Sequence, residues 1–244
     1  MTAGHEPAEP VMLDYEALRH GAARSVRHPL ARMLLLLTFT TGLVDAVSFL
    51  GLGRVFTANM TGNVVFLGFG IAGGAGLPVV APLVSLGAFL AGAGGGGVLA
   101  SRMGERHLSH VARALTIEVS LVAVAALIAA VVNVRPSEVS GDILIALLAF
   151  AMGVRNATVR RIGVPDLTTT VLTMTLTGLA ADSPLFGGSG SGSARRIAAV
   201  LTMLTGGLAG ALLLKTSLVL PLAAAAGLAA LSWLLYVPAA RRGV

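Results

Sequence analysis

Six apolar stretches, each long enough to cross a bilayer, constrain this chain more than any other feature. They cover residues 33–50, 79–100, 112–134, 143–159, 197–214 and 218–237; a helix of roughly 17–25 apolar residues spans the hydrocarbon core. Lipid offers no partner to backbone N–H and C=O groups, so such segments fold as helices that satisfy their own hydrogen bonds. Composition agrees, with 55% hydrophobic and 11% charged residues, against about 25% charged in a soluble domain. The 31 glycines suit close helix packing in lipid. With no Cys, disulfides, thiolate metal sites and cysteine nucleophiles are excluded. A net charge of +6 would point to nucleic acid in a soluble protein. Here the arginines sit in short loops beside apolar spans and read as topology signals, so the lipid bilayer is the expected partner and nucleic acid is not.

Two shorter apolar stretches, residues 61–72 and 168–181, decide the topology. If both cross, Arg102, Arg106, Arg113 and the pair Arg160–Arg161 fall on the side opposite the N-terminal tail, against the positive-inside rule. If both dip in and return, 13 of the 17 Lys and Arg residues lie inside and only Arg54, Arg135 and Lys215 outside, with Arg155 within a span. The second arrangement is expected: an all-α integral membrane protein with six spanning helices plus two short re-entrant half-helices, arranged as an inverted internal repeat. Its parts are a cytosolic tail (1–32), a first membrane repeat (33–134), an external loop (135–142), a second repeat (143–237) and a cytosolic C-terminus (238–244). A Gly/Ser-rich stretch at 182–194 reads as a flexible cytosolic linker. The tail mixes acids, His and Arg ahead of residue 33 and has no apolar core of a signal peptide. A short interfacial helix through Val11, Met12, Tyr15 and Leu18 and a plain unstructured tail both fit it. Shifting the chain by 111 positions pairs Gly42 with Gly153, Asp45 with Asn156, Phe56 with Leu167, Thr57 with Thr168, and Gly95–Gly96 with Gly206–Gly207.

Paired broken segments in corresponding halves point to a binding site near the midplane. Here they are residues 55–63 and 165–175. Asn59, Thr61 and Asn63 in one, and Thr168, Thr169, Thr170 and Thr173 in the other, supply caps and hydrogen-bonding groups. Helix N-termini bring partial positive charge, which suits an anion or a substrate carboxylate. The alternative is a pair of tilted helices whose Thr side chains bond back to the main chain. In the first span Thr38, Thr41, Asp45 and Ser48 share one face. An intramembrane acid serves either as a proton carrier or as a partner for Arg, functionally or as a structural ion pair. Glu118 and Arg155 lie at similar depth, within about one helical turn, so either they pair with each other, in preference to Arg155 with Asp45, or both snorkel to the cytosolic interface. Gly92, Gly96, Gly206 and Gly210 form small-xxx-small patterns read as packing, within the fold or in a homo-oligomer. Glu105, His107 and His110 read as a solvated loop and not as a metal site, and Asn59-Met60-Thr61 is a glycosylation sequon without meaning inside an apolar core. No nucleophile–base pair appears, so neither an enzyme nor a cofactor is expected.

The run TTGLVDAVSFLGLGRVFTANMTGNVVFLG, residues 40–68, closely resembles the hallmark segment of the YoaK-like bacterial membrane proteins, and TTTVLTMTLTGLA, residues 168–180, resembles that family's second signature. Span lengths and spacing agree over nearly the whole chain from residue 33. The resemblance implies a multi-spanning protein of the bacterial inner membrane and supplies no functional residues. From the residues themselves the expectation is a transporter for a small anionic or polar solute, with Asp45 as a proton-coupling group. A passive channel and a non-transporting scaffold or sensor are the alternatives.

Overall fold

The computed structural model describes residues 21, 25–74, 76–104, 106–164 and 172–241. Among them are eight α-helices and no strand: α1 (Pro29–Ala46), α2 (Met60–Ile71), α3 (Val80–Met103), α4 (His107–Val131), α5 (Val139–Ile162), α6 (Leu172–Ala181), α7 (Ser193–Leu214) and α8 (Val219–Arg241). A π-helix, Val47–Gly51, continues α1, and a 3-10 turn, Pro184–Phe186, follows α6. Six helices, all except α2 and α6, are long and apolar enough to span a membrane. Several run further than the apolar windows. α1 begins at Pro29, α5 ends at Ile162 and α7 begins at Ser193. The added turns carry Arg32, Arg160, Arg161, Arg195 and Arg196, whose long stems can lie along apolar surface while the charged heads reach the interface. Hydropathy therefore trims turns that the backbone continues. Pro29 stands in the first turn of α1 with His28 Nδ1 accepting from the Leu30 N–H at 3.3 Å, and Gly163, at φ 65°, closes α5 in the left-handed conformation.

The helices α1 and α5 form the centre, with 72% and 61% of their spanning windows buried against 17–33% for the other four. α1 packs on α7 and α8, and α5 on α3 and α4; α4 also meets α8, while α2 lies on α3 and α6 on α7. Glycines set the two closest crossings. A Cβ on Gly42 would stand 2.6 Å from the Gly207 nitrogen and 2.7 Å from the Met203 carbonyl oxygen; one on Gly153 would stand 2.7 Å from the Ala93 nitrogen. Gly206 likewise faces the Phe39 carbonyl, and Gly92 the Phe150 carbonyl. Backbones this close gain dispersion contacts that any larger residue would prevent. The pairing of Gly95–Gly96 with Gly206–Gly207 therefore needs correction. By contact Gly92 answers to Gly206 and Gly96 to Gly210, an offset of 114, whereas Gly42 and Gly153 keep the offset of 111.

The Gly/Ser-rich stretch is wound into a compact turn. Gly187, Gly190 and Gly192 take positive φ, the Gly190 N–H donates to the Asp182 carbonyl at 2.8 Å, and Asp182 pairs with Arg196 at 2.7 Å. The expected tail helix through Val11, Met12, Tyr15 and Leu18 lies outside the described residues, as do Glu105 and residues 165–171 with Thr168, Thr169 and Thr170.

Candidate functional site

The site begins with the Thr residues of α1. Thr38 donates to the Leu34 carbonyl at 2.9 Å, and Thr40 and Thr41 both donate to the Leu37 carbonyl at 2.8 and 3.0 Å. Each hydroxyl thus spends its one proton on its own helix and keeps its lone pairs for a partner. Asp45 follows one turn later and is 6% exposed. Directly after it the chain widens into the π-helix, a rare geometry often found at functional positions. The chain then turns through Gly53 and Arg54, both at positive φ, and returns as largely buried irregular backbone.

That backbone has no ladder, so side chains must satisfy it. The Ala58 N–H donates to Asp45 Oδ1 at 3.3 Å. Asn63 accepts from the Phe56 N–H at 2.9 Å and donates to the Phe56 carbonyl at 2.6 Å and to Ser85 Oγ at 3.1 Å, while Ser85 donates to the same carbonyl at 2.7 Å. Asn59 then caps α2, accepting from the Gly62 N–H at 3.4 Å. The rings of Phe49, Phe56 and Phe66 stack along this return, with centroids 4.9 and 6.0 Å apart.

Behind α1 lies a buried ion pair. Arg155 on α5 is 2% exposed and Glu118 on α4 is fully buried. Arg155 Nε donates to Glu118 Oε2 at 2.8 Å, and its Nη2 donates to Glu118 Oε1 and, at 2.8 Å, to Thr40 Oγ1. Its Nη1 donates to the Leu37 carbonyl at 2.8 Å and to Thr41 Oγ1 at 2.7 Å. Five bonds use all five guanidinium N–H groups, as a buried Arg requires. The network forms a polar layer between two apolar clusters, one containing Leu37, Leu115 and Val159, the other Leu43, Val122 and Met152. It ties the first, third and fourth spanning helices together.

In front of α1 is a cavity of about 420 Å³, lined by Thr41 and Asp45 of α1, by Ala58, Asn59, Thr61, Gly62, Val65 and Phe66 around the start of α2, by Leu172 and Thr173 at the start of α6, and by Met203. A second cavity of about 770 Å³ shares Ala58, Asn59 and Thr61 and continues to Phe89, Ala93, Asn156 and Arg160. The structure therefore brings Thr41, Asp45, Asn59, Thr61 and Thr173 to one space. Asn63 is not among its lining residues, and both its amide N–H groups and one lone pair of its carboxamide oxygen are used in holding the return. Thr169 and Thr170 lie outside the described residues. Glu118 and Arg155 meet each other, and Asp45 makes no ion pair among the described residues. Thr41 joins the two halves of the site, because its hydroxyl accepts from Arg155 and its side chain borders the cavity. Sequence reasoning missed Thr40 and Ser85. Thr40 was legible as a second Thr one turn above Leu37, whereas nothing local marked Ser85, which acts across 29 positions on Phe56.

Comparison with known proteins agrees with the fold. The family model described as "Protein of unknown function (DUF1275)" matches residues 33–235. The UPF0700 transmembrane protein YoaK of Bacillus subtilis (strain 168) is 34% identical over 151 residues, which cover 62% of this chain and 65% of that protein. The chain thus spans about two thirds of the relative's length. No solved structure matches. The chain belongs to the DUF1275 family and is a multi-pass membrane protein.

Proposed function

We propose that this member of the DUF1275 family carries a small polar or anionic solute across the bacterial inner membrane, with both termini cytosolic, and catalyses no covalent reaction. One observation carries the reading: an intramembrane carboxylate, Asp45, and the first turns of both short helices border a single cavity of about 420 Å³. Helices α2 and α6 have 12 and 10 residues, about 18 and 15 Å at 1.5 Å per residue, or half of a hydrocarbon core of about 30 Å. Such lengths support two re-entrant half-helices whose N-termini face one another. Exchanging the first four helices for the last four turns the α3–α5 contact into α7–α1, α4–α5 into α8–α1 and α2–α3 into α6–α7, and leaves α4–α8 unchanged. This exchange supports an inverted repeat, because three spans per half reverse the orientation.

The symmetry lapses where chemistry is expected. Asn156 stands at the position matching Asp45 and lines the neighbouring cavity. A proton-coupling group is needed once along a path, and protonation of Asp45 would remove the negative charge that repels an anion. The test is uptake of formate and acetate by proteoliposomes with and without an inward proton gradient. Asp45→Asn is expected to keep downhill uptake and to lose its acceleration by the gradient. Equal acceleration in the variant would remove Asp45 from coupling, and no uptake above protein-free liposomes would remove transport of these anions. A passive channel is favoured by one feature, the wall residues common to the two cavities. Saturation and counterflow separate the two readings, since a channel has neither.

A further inference from the structure

A third cavity, about 530 Å³, opens at the end of the bundle that carries the start of α1 and the end of α8. Its wall is one side of α1 (Arg32, Met33, Leu36 and Phe39 among others), with Thr202 of α7 and Leu235 and Tyr236 of α8. Here α7 and α8 are joined at their other ends by the short turn at residues 215–218, and α1 forms the floor between them. We infer that this groove holds one anionic phospholipid, its acyl chain along α1 and its phosphate on Arg32.

Three observations support the assignment. From Pro29 to Phe39 the groove follows ten residues of helix, about 15 Å, which is one leaflet's share of a hydrocarbon core of about 30 Å. Between the mouth and Phe39 the lining is mostly apolar, as an acyl chain requires, with Thr202 and Ser232 as the hydroxyls and Ser232 donating to the Leu228 carbonyl at 3.0 Å. At the mouth, Arg32 is exposed and its guanidinium makes no ion pair or hydrogen bond among the described residues, and the Tyr236 hydroxyl likewise has no partner among them. Basic pockets between spanning helices recognise anionic head groups in this way. The groove is separate from the Asp45 cavity, which Thr41, Asp45 and Met203 enclose on another face of α1 and α7.

The experiment adds dioleoyl phosphatidylglycerol or dioleoyl phosphatidylcholine to the detergent-purified full chain and follows thermal unfolding. Phosphatidylglycerol is expected to raise Tm by about 2–4 °C more than phosphatidylcholine, whose choline cation offsets its phosphate, the shift that one Arg facing a net negative rather than a zwitterionic head group brings in a chain of this size. Arg32→Gln should abolish that difference, while Arg113→Gln, on an exposed arginine away from the groove, should keep it. Leu36→Trp, which fills the groove and leaves the arginine, should remove the response to both lipids. Reading differences between lipids keeps the result independent of any change in basal stability. An unchanged difference in Arg32→Gln overturns the head-group assignment. An unchanged response in Leu36→Trp, or no response of the native chain to either lipid, overturns occupancy of the groove by a phospholipid.

Discussion

The Arg155–Glu118 pair makes the sharpest energetic prediction. Both side chains are at most 2% exposed, and two of the five Arg155 bonds go to Glu118 while three go to α1. Glu118→Leu leaves a buried cation that has lost its counter-charge, and Arg155→Met leaves a buried carboxylate that has lost both its donors. Either change should cost about 3–5 kcal/mol, the usual penalty for breaking a buried pair on one side. The double variant should recover most of that loss. Thr40 and Thr41 already donate to the Leu37 carbonyl, so removing Arg155 orphans neither hydroxyl proton, and two apolar side chains of similar volume would fill the layer between the existing apolar clusters. Replacing a buried pair in this manner is often neutral or stabilising. Reversible unfolding in mixed micelles, run as a double-mutant cycle, measures the coupling. Single variants that each cost less than about 1 kcal/mol, or a double variant whose cost is the sum of the two, would refute the reasoning. If the stable double variant also transports formate, the pair is a structural clasp; if it folds and does not transport, the clasp takes part in the motion.

The glycine crossings and the short helices give two further expectations. Gly92→Ala forces a methyl group against the Phe150 carbonyl and should destabilise the chain by about 1–3 kcal/mol, as overpacking does, whereas Gly94→Ala meets open space and should be neutral or gain up to about 1 kcal/mol from helix propensity; equal effects of the two on unfolding would contradict the packing described. Because the chain has no native Cys, Arg54→Cys and Ala72→Cys, flanking α2, can each be labelled by a membrane-impermeant maleimide with Ser109→Cys as the opposite-side reference. Reaction of the two flanking sites from one side and of the reference from the other is expected, and labelling of Arg54→Cys and Ala72→Cys from opposite sides would make α2 a full span.

Much of this architecture was legible because the bilayer permits so few solutions. Apolar length fixed the six long helices, and the failure of residues 61–72 to reach spanning length marked α2 as different. The similar depth of Glu118 and Arg155 along their helices allowed either pairing or snorkelling to the interface, and burial of both side chains is what decides for the pair. The hydrogen bonds of Asn63 to Phe56 and Ser85 could not be read from the sequence. Its type suited a ligand as well as a clamp, and the choice depends on Ser85, which α3 brings from 22 positions away. The glycine register is hard to read for a related reason. Apolar, Gly-rich sequence offers several near-equivalent alignments, and close backbone neighbours such as the Phe39 and Phe150 carbonyls identify which glycines must lack a side chain.

The two halves agree in what holds them together and differ in what borders the cavities. Matching glycines sit under matching carbonyls, and the helix contacts survive exchange of the halves. Asp45 against Asn156, and a π-helix after α1 where α5 continues as regular helix, are the departures. The proposed repeat would place the same packing constraints on both halves, so a difference that packing does not impose needs another cause. Both departures fall within a few residues of the cavity bordered by Asp45 and the starts of α2 and α6. Widening the helix to a π turn directly after Asp45 also frees the chain to return beneath it and present the Ala58 N–H. The carboxylate and the irregular backbone are therefore linked, and Asp45→Ala, which removes the acceptor that Asp45→Asn keeps, should disturb the start of α2 before it disturbs any spanning helix.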